Sequence, residues 1–346
     1  MTNIAPAIER FRRDTDAPAV LAATIDRDGG FEVEAVGIRR RDEPSTVVSI
    51  DDQVHIGSCG KAMTSALYAR LVEAGLAEWG VPLGSLFNDL SDVDPTWRDV
   101  TIDDLLQCRA GIAPNPPITQ MRRLHEATEP MAEQRTAAAQ TVLSNAANNP
   151  GTFVYSNLSY VVAGAVIDRI AGVPFEEAMR SYVTEPLDME SFGYGAPSEM
   201  AGHRPTFSLG PVVIGKGNVI GAEHKYPDNP ALLTPAGRYH LTLHDWARFI
   251  TVILRNGDGF LTSDSIERLT TMPTSGSDGF AMGWADAQHS GGSIAMQGSN
   301  TLWSATVFID EHMTIASLVA VNDGRRRILE NSAHLAHGLV FGTAPT

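Results

Sequence analysis

Apolar and polar positions divide the chain into three stretches. Residues 4–14 place Ile8 and Phe11 on one face of a helix. "AVLAATID" (19–26) and "FEVEAVGI" (31–38) read as strands joined by "RDGG", a glycine-containing hairpin signal. Helical periodicity then dominates, over 58–75, 101–108, 135–146, 157–171, 174–183 and 243–256. Proline and glycine punctuate this section at 113–117 and 205–235. Strand character returns in "FAMGWADAQ" (280–288), "SIAMQGS" (293–299), "LWSATVFID" (302–310) and "TIASLVAVN" (314–322), before a last helix, "ILENSAHLAHGLV".

Strands at both ends with helices between them predict one antiparallel sheet built from both termini, an α/β (α+β) fold. Residues 1–57 with 240–346 are expected to form the sheet domain, and 58–239 a mostly helical one, with a site at their junction.

One residue breaks the helical pattern of 58–75. Ala62, Met63, Ala66, Leu67 and Leu71 make an apolar face, yet Lys61 starts it, three residues after Ser58. If Ser58 opens the helix, its hydroxyl and the Lys61 amine share a face. A serine hydroxyl needs a nearby base to attack, and a lysine serves when burial and a helix N-terminus lower its pKa. The plainer reading is an N-cap serine and a lysine whose ammonium reaches water. Tyr155-Ser156-Asn157 stands just before a strong apolar helix. A phenol there can relay a proton if neighbouring cations depress its pKa; otherwise it is a loop tyrosine with Asn157 as a cap.

S-x-x-K followed about a hundred residues later by Y-x-N resembles the serine β-lactamase and penicillin-binding protein superfamily. The likeness is to its branch of class C β-lactamases, D-alanyl-D-alanine carboxypeptidases and related esterases. "TIDDLLQCRAGI", "GTFVYSNLSYVVAGAVIDRIAG", "YVTEPLDMESFGYG" and "LTPAGRYHLTLHDWARFITVILRNG" are similar to further family stretches, so the resemblance runs along nearly the whole chain. It implies a β-lactamase/transpeptidase-like fold and a Ser58 nucleophile, with Lys61 as base and Tyr155 as proton shuttle. Asn157 would orient substrate or Lys61.

The family's third element is a Lys- or His-x-Gly on the strand lining the cleft. "HSGG" at 289–292 fits as a string but reads as a hairpin turn. Registering "VFID" against the family's next strand puts the element at Met296-Gln297-Gly298, followed by Ser299. The usual cation, which binds a substrate carboxylate, is then replaced by Met296. Gly298 still lets substrate approach, and the Ser299 N–H can pair with that of Ser58 as an oxyanion hole. Losing one such donor costs ~3–4 kcal/mol in other hydrolases.

These features favour carboxylic esters, with Met296 and Trp303 making an apolar wall. The alternative is a β-lactamase or D-amino-acid peptidase in which Arg109, Lys216, His224 or Lys225 replaces the cation. A second alternative is a penicillin-binding sensor that is acylated without turnover.

The other signals narrow the field. Twenty-six Lys+Arg against 41 Asp+Glu give a net charge of −15, which repels phosphate backbones and anionic membranes, so neither nucleic acid nor membrane is an expected partner. No apolar run reaches the ~18–20 residues of a membrane span. "MTNIAPAIERFRRD" lacks a signal-peptide pattern, which predicts a cytoplasmic protein unless a signal was removed. "GPVVIGKG" (210–217) lacks the Ser/Thr and preceding strand of a phosphate loop. The ten histidines show no ligand spacing, with His334 and His337 read as ordinary residues of the last helix, and no metal or cofactor is expected. There is no G-x-S-x-G elbow. Asp103-Asp104 and Glu176-Glu177 read as solvated or first-turn charges. Cys59 and Cys108 are either two ordinary thiols or neighbours beside the active site. The partner is a small ester or amide; the oligomeric state is open.

Overall fold

Residues 3–204, 207–209, 212–214, 218–273, 279–288 and 291–342 are described by the structure, a computed structural model. Its centre is a six-stranded antiparallel sheet of β1 (Ala19–Asp26), β2 (Phe31–Gly37), β3 (Ala285–Asp286), β4 (Gly292–Ser299), β5 (Ser304–Asp310) and β6 (Ile315–Val321). Their spatial order is β3-β4-β5-β6-β1-β2. The strand from the start of the chain therefore lies against the last one, with Val20 opposite Val321 and Ile25 opposite Ala316.

β1 is apolar at almost every position because both faces are covered. Leu21, Ala23 and Ile25 join the main core, while Val20 and Ala22 point into a second one. That second core is closed by helices α1 (Ala5–Thr15) and α5 (Arg326–Phe341) through Ile8, Phe11, Ile328 and Leu335. Burying side chains of this size contributes roughly 1.5–3 kcal/mol each. On the opposite face, α4 (Leu243–Leu254) packs on β1 and β6, and beyond it lie the helices of the middle section.

Two of those helices position the site. Helix α2 (Lys61–Glu73) is sheathed on all sides along its first three turns, Lys61 included. Helix α3 (Asn157–Ala171) is buried over ten consecutive residues, Ser159–Asp168, and begins at the residue the sequence predicts. A small sheet ties distant parts of the chain together around them: Val54–His55 and Gly193–Tyr194 both pair with Tyr239–Leu241.

Several elements differ from expectation for local reasons. Ser58 does not open α2. It sits in a separate 3-10 turn, Gly57–Gly60, in which positions i and i+3 eclipse, bringing Ser58 over Lys61 more closely than α-helical spacing would. Of "FAMGWADAQ" only Ala285–Asp286 is strand; the Ala281 N–H donates to the Trp284 carbonyl at 2.8 Å, so a tight turn, not a strand, buries Trp284. The helix expected over 174–183 is Phe175–Met179, followed by one wide turn, Arg180–Thr184.

The acidic pairs are more than surface charge. Asp104 closes a capping box with Thr101, and Asp103 pairs with Arg268. Glu176 and Asp168 together grip Arg135, whose side chain is fully buried and forms four charged hydrogen bonds of 2.7–3.0 Å. Of the phosphate-loop string, Val212–Ile214 pairs with Phe207–Leu209, while Gly210, Pro211 and Gly215–Gly217 lie outside the described residues. Lys216 and the His289–Ser290 part of "HSGG" lie outside them as well. Among the described residues no single helix is long and apolar enough to cross a membrane, and no cluster of three or more His, Cys, Asp or Glu side chains suits a metal ion.

Candidate active site

The turn that carries Ser58 is shaped by a backbone only glycine tolerates. Gly57 has φ +53°, and a Cβ there would come within 2.6 Å of the Ser299 amide nitrogen. Reciprocally, a Cβ on Gly298 would stand 2.6 Å from the Ser58 nitrogen and 2.1 Å from the Ile56 carbonyl oxygen. Two glycines thus let the serine turn and the end of β4 approach backbone to backbone, bringing the Ser58 and Ser299 amides together. Beyond Ala295, where pairing with β3 stops, the outer edge of β4 runs beside this turn.

Lys61 faces Ser58 from the first position of α2. Its Nζ lies 3.2 Å from Ser58 Oγ, 2.7 Å from Asn157 Oδ1 and 2.6 Å from the Ala236 carbonyl oxygen. The side chain is wholly buried, so the water-reaching alternative does not hold. Burial, with no carboxylate among its hydrogen-bond partners, pushes its pKa down to about 7. A neutral amine fits the three contacts: two N–H groups donate to Asn157 and Ala236, leaving the lone pair toward the Ser58 hydroxyl.

Asn157 is free for this because it is not the cap. Ser156 is: its Oγ accepts from the Ser159 N–H at 2.9 Å, a cap worth about 1 kcal/mol. The Asn157 amide nitrogen donates to Asn115 Oδ1 at 2.8 Å, which fixes the amide with its oxygen toward Lys61. Asn115, in the proline-rich loop, is a site residue that sequence reasoning missed.

The Tyr155 ring lies with its centroid 4.9 Å from Lys61 Nζ and edge-on to Phe280 at 5.8 Å. The expectation of a depressed phenol pKa is not met. Burial pushes it up and outweighs the interaction with the Ser58 hydroxyl, which pulls it down.

A cleft of about 950 Å³ opens from Ser58 and Tyr155 along β4 to α5. Phe153, Phe280, Met296 and Phe308 supply its apolar lining, and Gln297, Asp286, His334 and His337 its polar far end. The two histidines read as ordinary helix residues therefore belong to the cleft. Met296 is nearly buried and joins the main core, whereas Gln297 faces the cleft, its amide nitrogen donating to Thr306 Oγ1 at 3.3 Å and to the Leu329 carbonyl at 2.5 Å. Trp303 is not part of this wall; it is buried and stacks on His55 at 5.5 Å.

None of the described residues lining the cleft is a lysine or arginine. Arg109 is buried with Nη1 on the Gly151 carbonyl and its guanidinium over Phe153. Lys225 pairs with Glu126 at the surface, and His224 is exposed beside it. The two cysteines flank the site as separate buried thiols. Cys59 Sγ contacts the Met296 carbonyl at 3.5 Å, and Cys108 Sγ accepts from the Ser156 N–H at 3.4 Å; burial pushes both thiol pKa values up.

The geometry agrees with comparisons to known proteins. The beta-lactamase family model matches residues 4–337. An unguisins hydrolase of Aspergillus violaceofuscus is 28% identical over 54% of this chain and 33% of its own length; another, of Aspergillus campestris, is 23% identical over 72% of this chain and 48% of its own. The chain thus spans half or less of the length of these relatives. Among solved structures, the beta-lactamase/D-alanine carboxypeptidase of Pseudomonas syringae superposes with a TM-score of 0.77 at 14% identity, covering 98% of this chain and 99% of that one. With a family match over nearly its whole length and the same fold, the chain belongs to the beta-lactamase family and has its serine-hydrolase fold.

Proposed function

We propose that the protein hydrolyses carboxylic esters, or a related acyl group, through an acyl-enzyme on Ser58. The observation that carries this reading is the buried Lys61 amine 3.2 Å from Ser58 Oγ with two other acceptors fixing its N–H groups. Lys61 takes the hydroxyl proton as Ser58 attacks the carbonyl carbon, and the Ser58 and Ser299 N–H groups receive the oxyanion. Tyr155, protonated at neutral pH, gives its proton to the leaving oxygen. The adjacent Lys61 ammonium stabilises the short-lived phenolate and returns a proton to it. Water then attacks the acyl-enzyme with Lys61 and Tyr155 as base and acid.

The apolar lining of Phe153, Phe280, Met296 and Phe308, without a lysine or arginine among the described lining residues, supports acyl groups that carry no obligatory carboxylate. A second reading, hydrolysis of an amide by a β-lactamase or D-amino-acid peptidase, draws on the family to which the chain belongs. A panel of p-nitrophenyl esters, peptide amides and nitrocefin, run on wild type and Ser58→Ala, tests both. Ester turnover that survives Ser58→Ala would refute the mechanism. Amide turnover exceeding ester turnover would move the substrate class. A lasting mass adduct on Ser58 without turnover would make the protein a sensor rather than a hydrolase.

A further inference from the structure

The Ser58 and Ser299 amides lie on segments far apart in sequence, and a chain of buried side chains joins those segments. Asp228 Oδ2 lies 3.0 Å from His55 Nε2, and its Oδ1 accepts from Asn300 Nδ2 at 2.7 Å. On the other side of the imidazole, Nδ1 accepts the Gly57 N–H at 3.1 Å. One carboxylate is thereby connected, through a single side chain each way, to the residue before Ser58 and the residue after Ser299. His55, Asp228 and Asn300 are respectively 1%, 7% and 7% exposed, so water does not compete for these bonds.

The partners dictate the imidazole's state. With Nδ1 accepting from Gly57, the ring proton is assigned to Nε2 and aimed at Asp228. Trp303 stacks on the ring, and Asn300 Oδ1 accepts from the Leu302 and Trp303 N–H groups, so both arms are fixed in orientation. The Arg238 guanidinium, with Nε 3.3 Å from Asp228 Oδ2, contributes to balancing the buried charge. The bonds to His55 and Asn300 help to hold the charge and, being directional, also fix how the two arms are aimed.

We propose that Asp228, with His55 and Asn300, is a positioning network that sets the separation and aim of the two oxyanion N–H donors. The inference rests on Ser58 being the nucleophile. None of the three side chains touches the reacting atoms. Removing a donor outright costs about 10²–10³ in kcat in other hydrolases, so misaiming one should cost a part of that.

The test uses Asp228→Asn, His55→Gln and His55→Asn, measuring kcat and KM for a p-nitrophenyl ester, the Ki of an alkyl boronic acid, and thermal unfolding. The boronate forms a tetrahedral adduct on Ser58 and engages the oxyanion donors, which the ground-state ester does not. Glutamine reaches Asp228 but leaves the Gly57 N–H without its acceptor; asparagine keeps that acceptor but not the link to Asp228. Asp228→Asn and His55→Gln should lower kcat about 10- to 100-fold with KM within about threefold, and raise the boronate Ki by the same factor. His55→Asn should lose less than His55→Gln. An unchanged kcat, or a fall in activity matched only by lost folded fraction with the boronate Ki unmoved, would overturn the proposal. Where Asp228→Asn does not fold, Asn300→Ser, which removes the second arm while its hydroxyl can still accept from the following N–H groups, is read in the same way. Wild-type protein that a fluorophosphonate fails to label at Ser58 would instead sink the underlying mechanism, since wild type carries the whole network intact.

Discussion

Lys61 Nζ lies 2.6 Å from the Ala236 carbonyl oxygen and 2.7 Å from Asn157 Oδ1, so the amine's direction toward Ser58 is dictated by its neighbours. Because burial brings the amine's pKa to about 7, the rate should follow its deprotonation. In ester hydrolysis, kcat/KM should rise roughly tenfold per pH unit below this value and level off above it. A profile flat from pH 5 to 9 would rule Lys61 out as the base.

The same burial costs stability. Between pH 7 and the ordinary lysine value of 10.5 the unfolded chain holds a proton on Lys61 that the folded protein does not, so stability from this group rises with pH across that window. Lys61→Met should therefore abolish turnover yet raise the unfolding temperature. Its advantage over wild type should be fully present below pH 7 and shrink as the pH climbs toward 10. Calorimetry at pH 6 and pH 10 reads the difference.

Met296→Lys should return a cation to the strand beside the cleft. Nitrocefin turnover relative to a neutral ester should rise at least about tenfold, equivalent to ~1.4 kcal/mol of new carboxylate binding. Because Met296 is nearly buried, the unfolding temperature should fall at the same time. An unchanged substrate ratio would mean that position 296 does not discriminate between the two.

Arg135→Met should be the most destabilising of these substitutions, by about 3–5 kcal/mol, because it leaves Asp168 buried without its partner. Activity per folded molecule should stay near wild type, which active-site titration with a fluorophosphonate measures directly.

How much of this could be read from the chain depends on whether the signal was local. β1, β6 and Asn157–Ala171 are long apolar runs whose length, composition and flanking turns settle their type. Ser58, Lys61, Tyr155 and Asn157 lie in two short motifs that the fold brings side by side. Trp303 adjoins an apolar strand, yet nothing in its neighbours tells that it stacks on His55 and not on the cleft. "FAMGWADAQ" has strand composition, and its turn is set by contacts with the rest of the fold. The His55–Asp228 pair joins positions 173 residues apart and carries no spacing signal at all. A buried Asp in a proline-rich loop shows its purpose only once its partners are in place.

The mutual approach of Gly57 and Gly298 also limits how such an enzyme can be altered. Any side chain at either position drives a carbon into the other segment's backbone, so randomising these two sites should yield glycine and little else. Variation in acyl preference must instead come from the walls, at Phe153, Phe280, Ala295 and Gln297. A mutant library confined to those four positions would explore new substrates while leaving the close approach of the two backbones intact.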